Sequence, residues 1–90
     1  MPKLTRMFKA LGDPTRERIM RLLRKHMELN VGTLTTYLHL TQPTVSQHLK
    51  ILLEAGVVKT RRSGREIYYS ICSTQIFDMI DRLLKLYRGE

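Results

Sequence analysis

The chain has 90 residues, with 16 Lys and Arg against 8 Asp and Glu, a formal charge of +8 that favours a polyanionic partner. That length suits one small domain, residues 1–90, and leaves little room for a catalytic pocket, while no apolar run approaches membrane-spanning length. A single cysteine, Cys72, excludes an intramolecular disulfide and suits a reducing cytoplasm, and Lys3, Arg6 and Lys9 interrupt any secretory h-region.

Leu4, Met7, Phe8 and Leu11 recur at i, i+3, i+4, i+7 and predict a short amphipathic helix closed by Gly12. Asp13-Pro14 then reads as an N-cap followed by a first-turn proline. The second helix runs to about Lys25, with Ile19, Leu22 and Leu23 inward and Arg16, Arg18, Arg21 and Arg24 outward. Residues 27–30 suit a brief strand. Asn30 can cap a third helix from about Val31 to Leu38, burying Val31, Leu34 and Leu38.

His39-Leu40-Thr41 is a short turn into the most informative stretch. Val45, Leu49, Leu52 and Leu53 fall at i, i+4, i+7, i+8 and form one apolar stripe. The remaining positions hold Gln42, Thr44, Ser46, Gln47, His48 and Lys50, side chains that hydrogen-bond base edges and phosphates rather than the Glu/Lys mixture of a solvated face. Thr41 can cap this helix, Pro43 fits its first turn and Gly56 ends it. Two helices joined by so short a turn, the second with a polar reading face, make a helix-turn-helix.

After Gly56 the apolar period drops to two. Residues 57–62 and 65–71 are β-rich runs around Ser63-Gly64, a hairpin pattern with Arg61, Arg62 and Arg65 at its tip. Beside a helix-turn-helix, a basic hairpin reads as a wing that lies along a phosphate backbone or enters a minor groove. The last helix, from about Thr74 to Arg88, carries Ile76, Phe77, Ile80, Leu83, Leu84 and Tyr87, a stripe wider than one small domain can cover. The predicted fold is mainly α with a small β-hairpin: a winged helix-turn-helix.

Three segments, residues 8–19, 44–58 and 62–71, closely resemble the ArsR/SmtB family of bacterial and archaeal repressors, and the resemblance spans nearly the whole chain. It implies a two-fold homodimer through the first and last helices, a palindromic operator at the protein's own promoter, and release of DNA on binding an inducer. The expected base contacts are Gln42, Thr44, Ser46, Gln47 and His48, the last at a position where the family commonly has a DNA-contacting histidine. Lys50, Arg61, Arg62 and Arg65 are expected on the DNA backbone, with Thr41 and Tyr69 as weaker candidates. Leu4, Met7, Phe8, Leu11, Ile76, Ile80, Leu83 and Tyr87 are expected at the dimer interface.

The resemblance fails at the metal sites. Where members of the family often have thiolates at the start of the third helix, this chain has Asn30 and Gly32; Asn30 is explained as a cap and Gly32 has no side chain. The start of the last helix offers Ser73, Thr74 and Gln75, and no histidine follows His48. Asp78 and Asp81 without imidazole or thiolate make a weak transition-metal pair and suit Arg82 and Lys85 as partners. Cys72 lacks a resolving thiol and reads as a small buried hydrophobe. No metal, cofactor or catalytic residue is expected. A winged helix used to bind protein is the rival function, opposed by the polar reading face and the arginine-rich wing.

Overall fold

A computed structural model of the chain describes residues 3–89. Helix α1 spans Leu4–Leu11 and α2 spans Pro14–His26. The Asp13 carboxylate accepts the Arg16 N–H at 3.0 Å, so the expected N-cap is made. Strand β1, Leu29–Asn30, leads directly into α3, Val31–Leu38, whose first turn is satisfied by the Asn30 side-chain oxygen accepting the Thr33 N–H at 2.8 Å.

Helix α4 spans Gln42–Glu54. Its start differs from the expectation in one detail. The Thr41 side chain makes no bond to a backbone N–H, because its hydroxyl meets the Thr44 hydroxyl at 2.9 Å instead. Its end is closed twice over: Gly56 N–H donates to Leu53 O at 3.0 Å and Val57 N–H to Leu52 O at 3.2 Å. Gly56 takes φ 77, the left-handed conformation this Schellman closure requires.

Strands β2, Val58–Ser63, and β3, Glu66–Ile71, form the hairpin. Its turn is Gly64-Arg65, one residue later than the sequence pattern suggests, since Ser63 pairs with Glu66. Gly64 has φ 61, and Arg65 stays out of positive φ, the pattern of a two-residue II′ turn with glycine first. The brief strand β1 pairs with β3, giving an antiparallel sheet in the order β1-β3-β2. Helix α5, Ser73–Arg88, closes the chain. The order of helices and strands is that of a winged helix-turn-helix.

One cluster of buried side chains joins all of these elements. Ile19 and Leu23 of α2, Leu34 and Leu38 of α3, Val45, Leu49 and Leu52 of α4, and Val57 and Val58 meet Met7 and Ala10 of α1. The stripe of α4 is therefore clamped from several sides, and its polar face is left outward.

Candidate nucleic-acid interface

Gln42, Thr44, Ser46 and Gln47 are all exposed, while Val45 and Leu49 on the opposite side are completely buried. A rigid stripe beneath a free polar face is what positioning side chains against base edges requires. Lys50, one turn beyond Ser46 and Gln47, is exposed beside them. Gln42 at the start of α4 also lines one cleft with Arg65 of the hairpin turn, together with Val31, Gly32, Glu66 and Ile67. The turn of the wing and the N-terminus of the reading helix thus border the same surface.

His48 is placed differently from its neighbours. Its side chain is only 20% exposed, and Nδ1 lies 3.2 Å from Arg16 Nη1 and 3.9 Å from Asp13 Oδ2. A guanidinium only donates, so in this contact Nδ1 is the acceptor. Arg16 also donates to the carbonyls of Ala10, at 2.6 Å, and Lys9, at 3.2 Å. It therefore ties the end of α1, the start of α2 and the reading helix together. His48 is engaged in this joint and is less open than Gln42, Thr44, Ser46 and Gln47, because position 48 flanks the buried stripe where α2 packs. Arg16 was legible in the sequence only as one of several outward arginines; nothing in its spacing marks it as the tie.

The pleat divides the wing arginines. Successive side chains of a strand point to opposite faces. Arg62 pairs with Ile67, on the face shared with Tyr69 and Ile71, and Arg61 pairs with Tyr68 on the other. Arg61 lies with its guanidinium 4.9 Å from the Tyr68 ring centroid and binds both Glu28 carboxylate oxygens, Nε at 3.2 Å and Nη2 at 2.5 Å. The Arg61 hydrogen bonds hold the Glu28 carboxyl below its ordinary pKa, and Glu28 raises that of Arg61. Arg61 is thus a strut between the wing and the end of α2, engaged with Glu28 although its side chain stays 55% exposed. Tyr69 is half-buried and packs on the core from β3, opposite Leu29 and Thr60. Arg62 and Arg65 remain exposed, without an ion pair among the described residues.

A profile described as bacterial regulatory protein, arsR family, matches residues 13–60, from the cap of α2 through the reading helix into β2. The chain belongs to the ArsR family. It is 37% identical over 81 residues to the transcriptional repressor SdpR of Bacillus subtilis, covering 90% of this chain and 89% of that one. Among solved structures, HlyU from Vibrio cholerae superposes with a TM-score of 0.74 at 36% identity, covering 92% of this chain and 89% of HlyU. An ArsR-like regulator from Rhodococcus sp. RHA1 gives a TM-score of 0.86 at 28% identity, covering 96% and 80% of the two chains. With this family and this fold, the protein is a DNA-binding transcriptional regulator.

Two other regions of the ArsR fold bear on the expectations. Of the residues expected at a dimer interface, Met7 is 0% exposed and belongs to the core, while Leu4, Leu11 and Ile76 are half-buried against that core. The short α1 packs its stripe inward, so little of it is left for a second chain. The free apolar surface is on α5, where only Met79 is buried. Phe77, Leu86 and Tyr87 are 69%, 64% and 83% exposed, with Ile80, Leu84 and Phe8 of α1 also open and Leu83 half-buried.

At the positions of the family's metal ligands, Asn30 is engaged as the α3 cap. Asp78 and Asp81 pair with Arg82 at 3.5 Å and Lys85 at 3.1 Å. Cys72 is half-buried rather than sealed in the core, with Sγ 3.5 Å from the Thr74 hydroxyl, which holds the thiol below its ordinary pKa.

Proposed function

We propose that the protein is a cytoplasmic, dimeric, sequence-specific repressor of its own promoter. It reads a palindromic double-stranded DNA operator with Gln42, Thr44, Ser46 and Gln47 and grips the backbone with Lys50, Arg62 and Arg65, aided by Thr41. The observation that carries this reading is the open polar face of α4 opposite the fully buried Val45, Leu49 and Leu52, bordering one cleft with Arg65. The resemblance to SdpR, a repressor, supports the sign of regulation. The exposed apolar residues of α5 and Phe8 support a two-fold dimer. Such a dimer would set two reading helices about 34–36 Å apart, one turn of DNA.

Footprinting and gel shifts of the purified protein on its own promoter, over a range of salt, test the proposal. A protected palindrome and a steep loss of affinity with salt are expected. A flat salt response with no protected site overturns it and favours a protein-binding role.

Regulation proceeds without the family's thiolate and imidazole sets, because Asn30 and the Asp78 and Asp81 carboxylates are already engaged. Zinc, cadmium, arsenite and nickel at low micromolar levels should leave operator affinity unchanged. Calorimetry showing one tight metal per chain would overturn this part.

A further inference from the structure

A cavity of about 540 Å³ lies away from the reading face, where the end of α2, the base of the hairpin and the start of α5 meet. Its volume is in the range of small-molecule sites, roughly 300–1,000 Å³. Leu23, Met27 and Ile71 give it an apolar wall, and Arg24 and Lys59 stand over it with Ser70 and Ser73. Neither cation forms an ion pair among the described residues. The one carboxylate in the lining, Glu28, is already held by Arg61. The unbalanced charge of the cavity is therefore positive.

Met27 adds an independent oddity. It takes φ 73 and ψ −52, with Glu28 N–H donating to His26 O at 2.9 Å across it, a tight turn that a residue with a side chain rarely adopts. The turn holds the thioether 76% exposed at the cavity. An apolar side chain kept in water by a costly backbone conformation gains most from a ligand that covers it.

We propose that this cavity binds a small amphipathic anion, a carboxylate on an apolar chain or ring, and that the ligand regulates operator binding. The apolar part lies on Leu23, Met27 and Ile71, and the carboxylate sits between Arg24 and Lys59. The link to DNA is short. Lys59 pairs with Ser70, and the next pair on that face of the hairpin is Arg61 with Tyr68. A carboxylate at Lys59 lies beside Glu28 and repels it, which weakens the Glu28–Arg61 strut fixing the hairpin to α2. The wing then loosens and its phosphate contacts weaken. This regulatory half rests on the DNA-binding function proposed above; ligand binding does not.

Octanoate is the probe, with octyltrimethylammonium as a cationic control of equal chain length. Calorimetry on the full chain without DNA should show saturable octanoate binding and none of the control. Arg24→Glu and Lys59→Glu should each weaken octanoate tenfold or more. Met27→Ser should weaken it less, and Arg62→Ala, outside the cavity, should leave it unchanged. Absence of saturable octanoate binding overturns the site, as does equal binding of both probes, which would indicate adsorption to the exposed face of α5. Retained affinity in both charge reversals also overturns it. Octanoate should then lower operator affinity in gel shifts of the wild type but not of Lys59→Glu. Saturable binding with unchanged operator affinity overturns the regulatory half alone, whereas a protein that binds octanoate but no DNA refutes the proposed function and leaves the site standing.

Discussion

Helices α4 and α5 are both amphipathic, yet the chain completes one and leaves the other open. Val45, Leu49 and Leu52 of the α4 stripe are buried by α1, α2, α3 and β2, while Leu53, expected in the same stripe, lies at its edge and is 41% exposed. Of α5 only Met79 is buried, and its large apolar side chains stand in solvent. Burial is set by what the remaining elements can cover, not by the stripe itself. A helix completed within its own chain is held rigidly, whereas one left open keeps its apolar side chains available to a second surface.

The comparison can be broken most severely at the stripe of α4. Leu49→Ala should cost about 2–5 kcal/mol of stability, measured by denaturant or thermal unfolding. A cost near zero would mean that α4 is not clamped. At α5 the matching change, Phe77→Asp, should leave the helical content seen by circular dichroism intact and convert dimers into monomers at micromolar concentration in analytical ultracentrifugation. A variant that sediments as the wild type would remove Phe77 from the interface.

The free face of α4 should govern specificity. Gln47→Ala should weaken the operator by about 1–3 kcal/mol and random DNA much less. Equal losses on both would make Gln47 a backbone contact. The joint that seats α4 on α2 depends on Asp13, and Asp13→Ala should cost about 0.5–2 kcal/mol through the lost cap. The Arg16 backbone N–H, foremost, holds the Asp13 carboxyl below its ordinary pKa. Its contribution is therefore fully present above the unfolded carboxylate value and is lost as pH falls through the lower folded value. Acid unfolding of Asp13→Ala should show a shallower pH dependence in that acidic window; an unchanged slope would remove the cap from the account.

The smallest effect separates the two faces of the wing. Arg62→Ala or Arg65→Ala should each lower the salt slope of DNA binding by about one unit. Arg61→Ala should loosen the hairpin, visible as faster amide exchange in β2, and weaken the operator while lowering the slope by clearly less than one unit. A unit loss of slope in Arg61→Ala would put that residue back on the phosphate backbone.

Much of this architecture was legible in the residues. The Asp13 and Asn30 caps, the apolar period of α4, the brief strand before α3 and the hairpin after Gly56 are local patterns, and local backbone chemistry decides them. The polar face of α4 was legible because helix periodicity sorts side chains without reference to neighbours. Met7 was misplaced, and the partners of His48, Arg61 and Tyr69 were not foreseen, because periodicity gives the face of an element but not what lies against it. His48 borders the packed stripe and meets Arg16, Arg61 is turned by the pleat toward Glu28, Tyr69 is carried onto the core, and α1 spends its stripe inward.

The residues alone fixed the order of the elements, the polar side of α4 and the positive charge that suits a polyanionic partner. Each of these follows from short-range periodicity, capping or net composition. Only the tertiary structure decided which arginine is a strut and which is free, which apolar helix is completed, and that Arg24 and Lys59 overhang one cavity. These depend on contacts between residues far apart in the chain, such as Glu28 with Arg61 and Arg16 with His48, and no local pattern specifies such pairs.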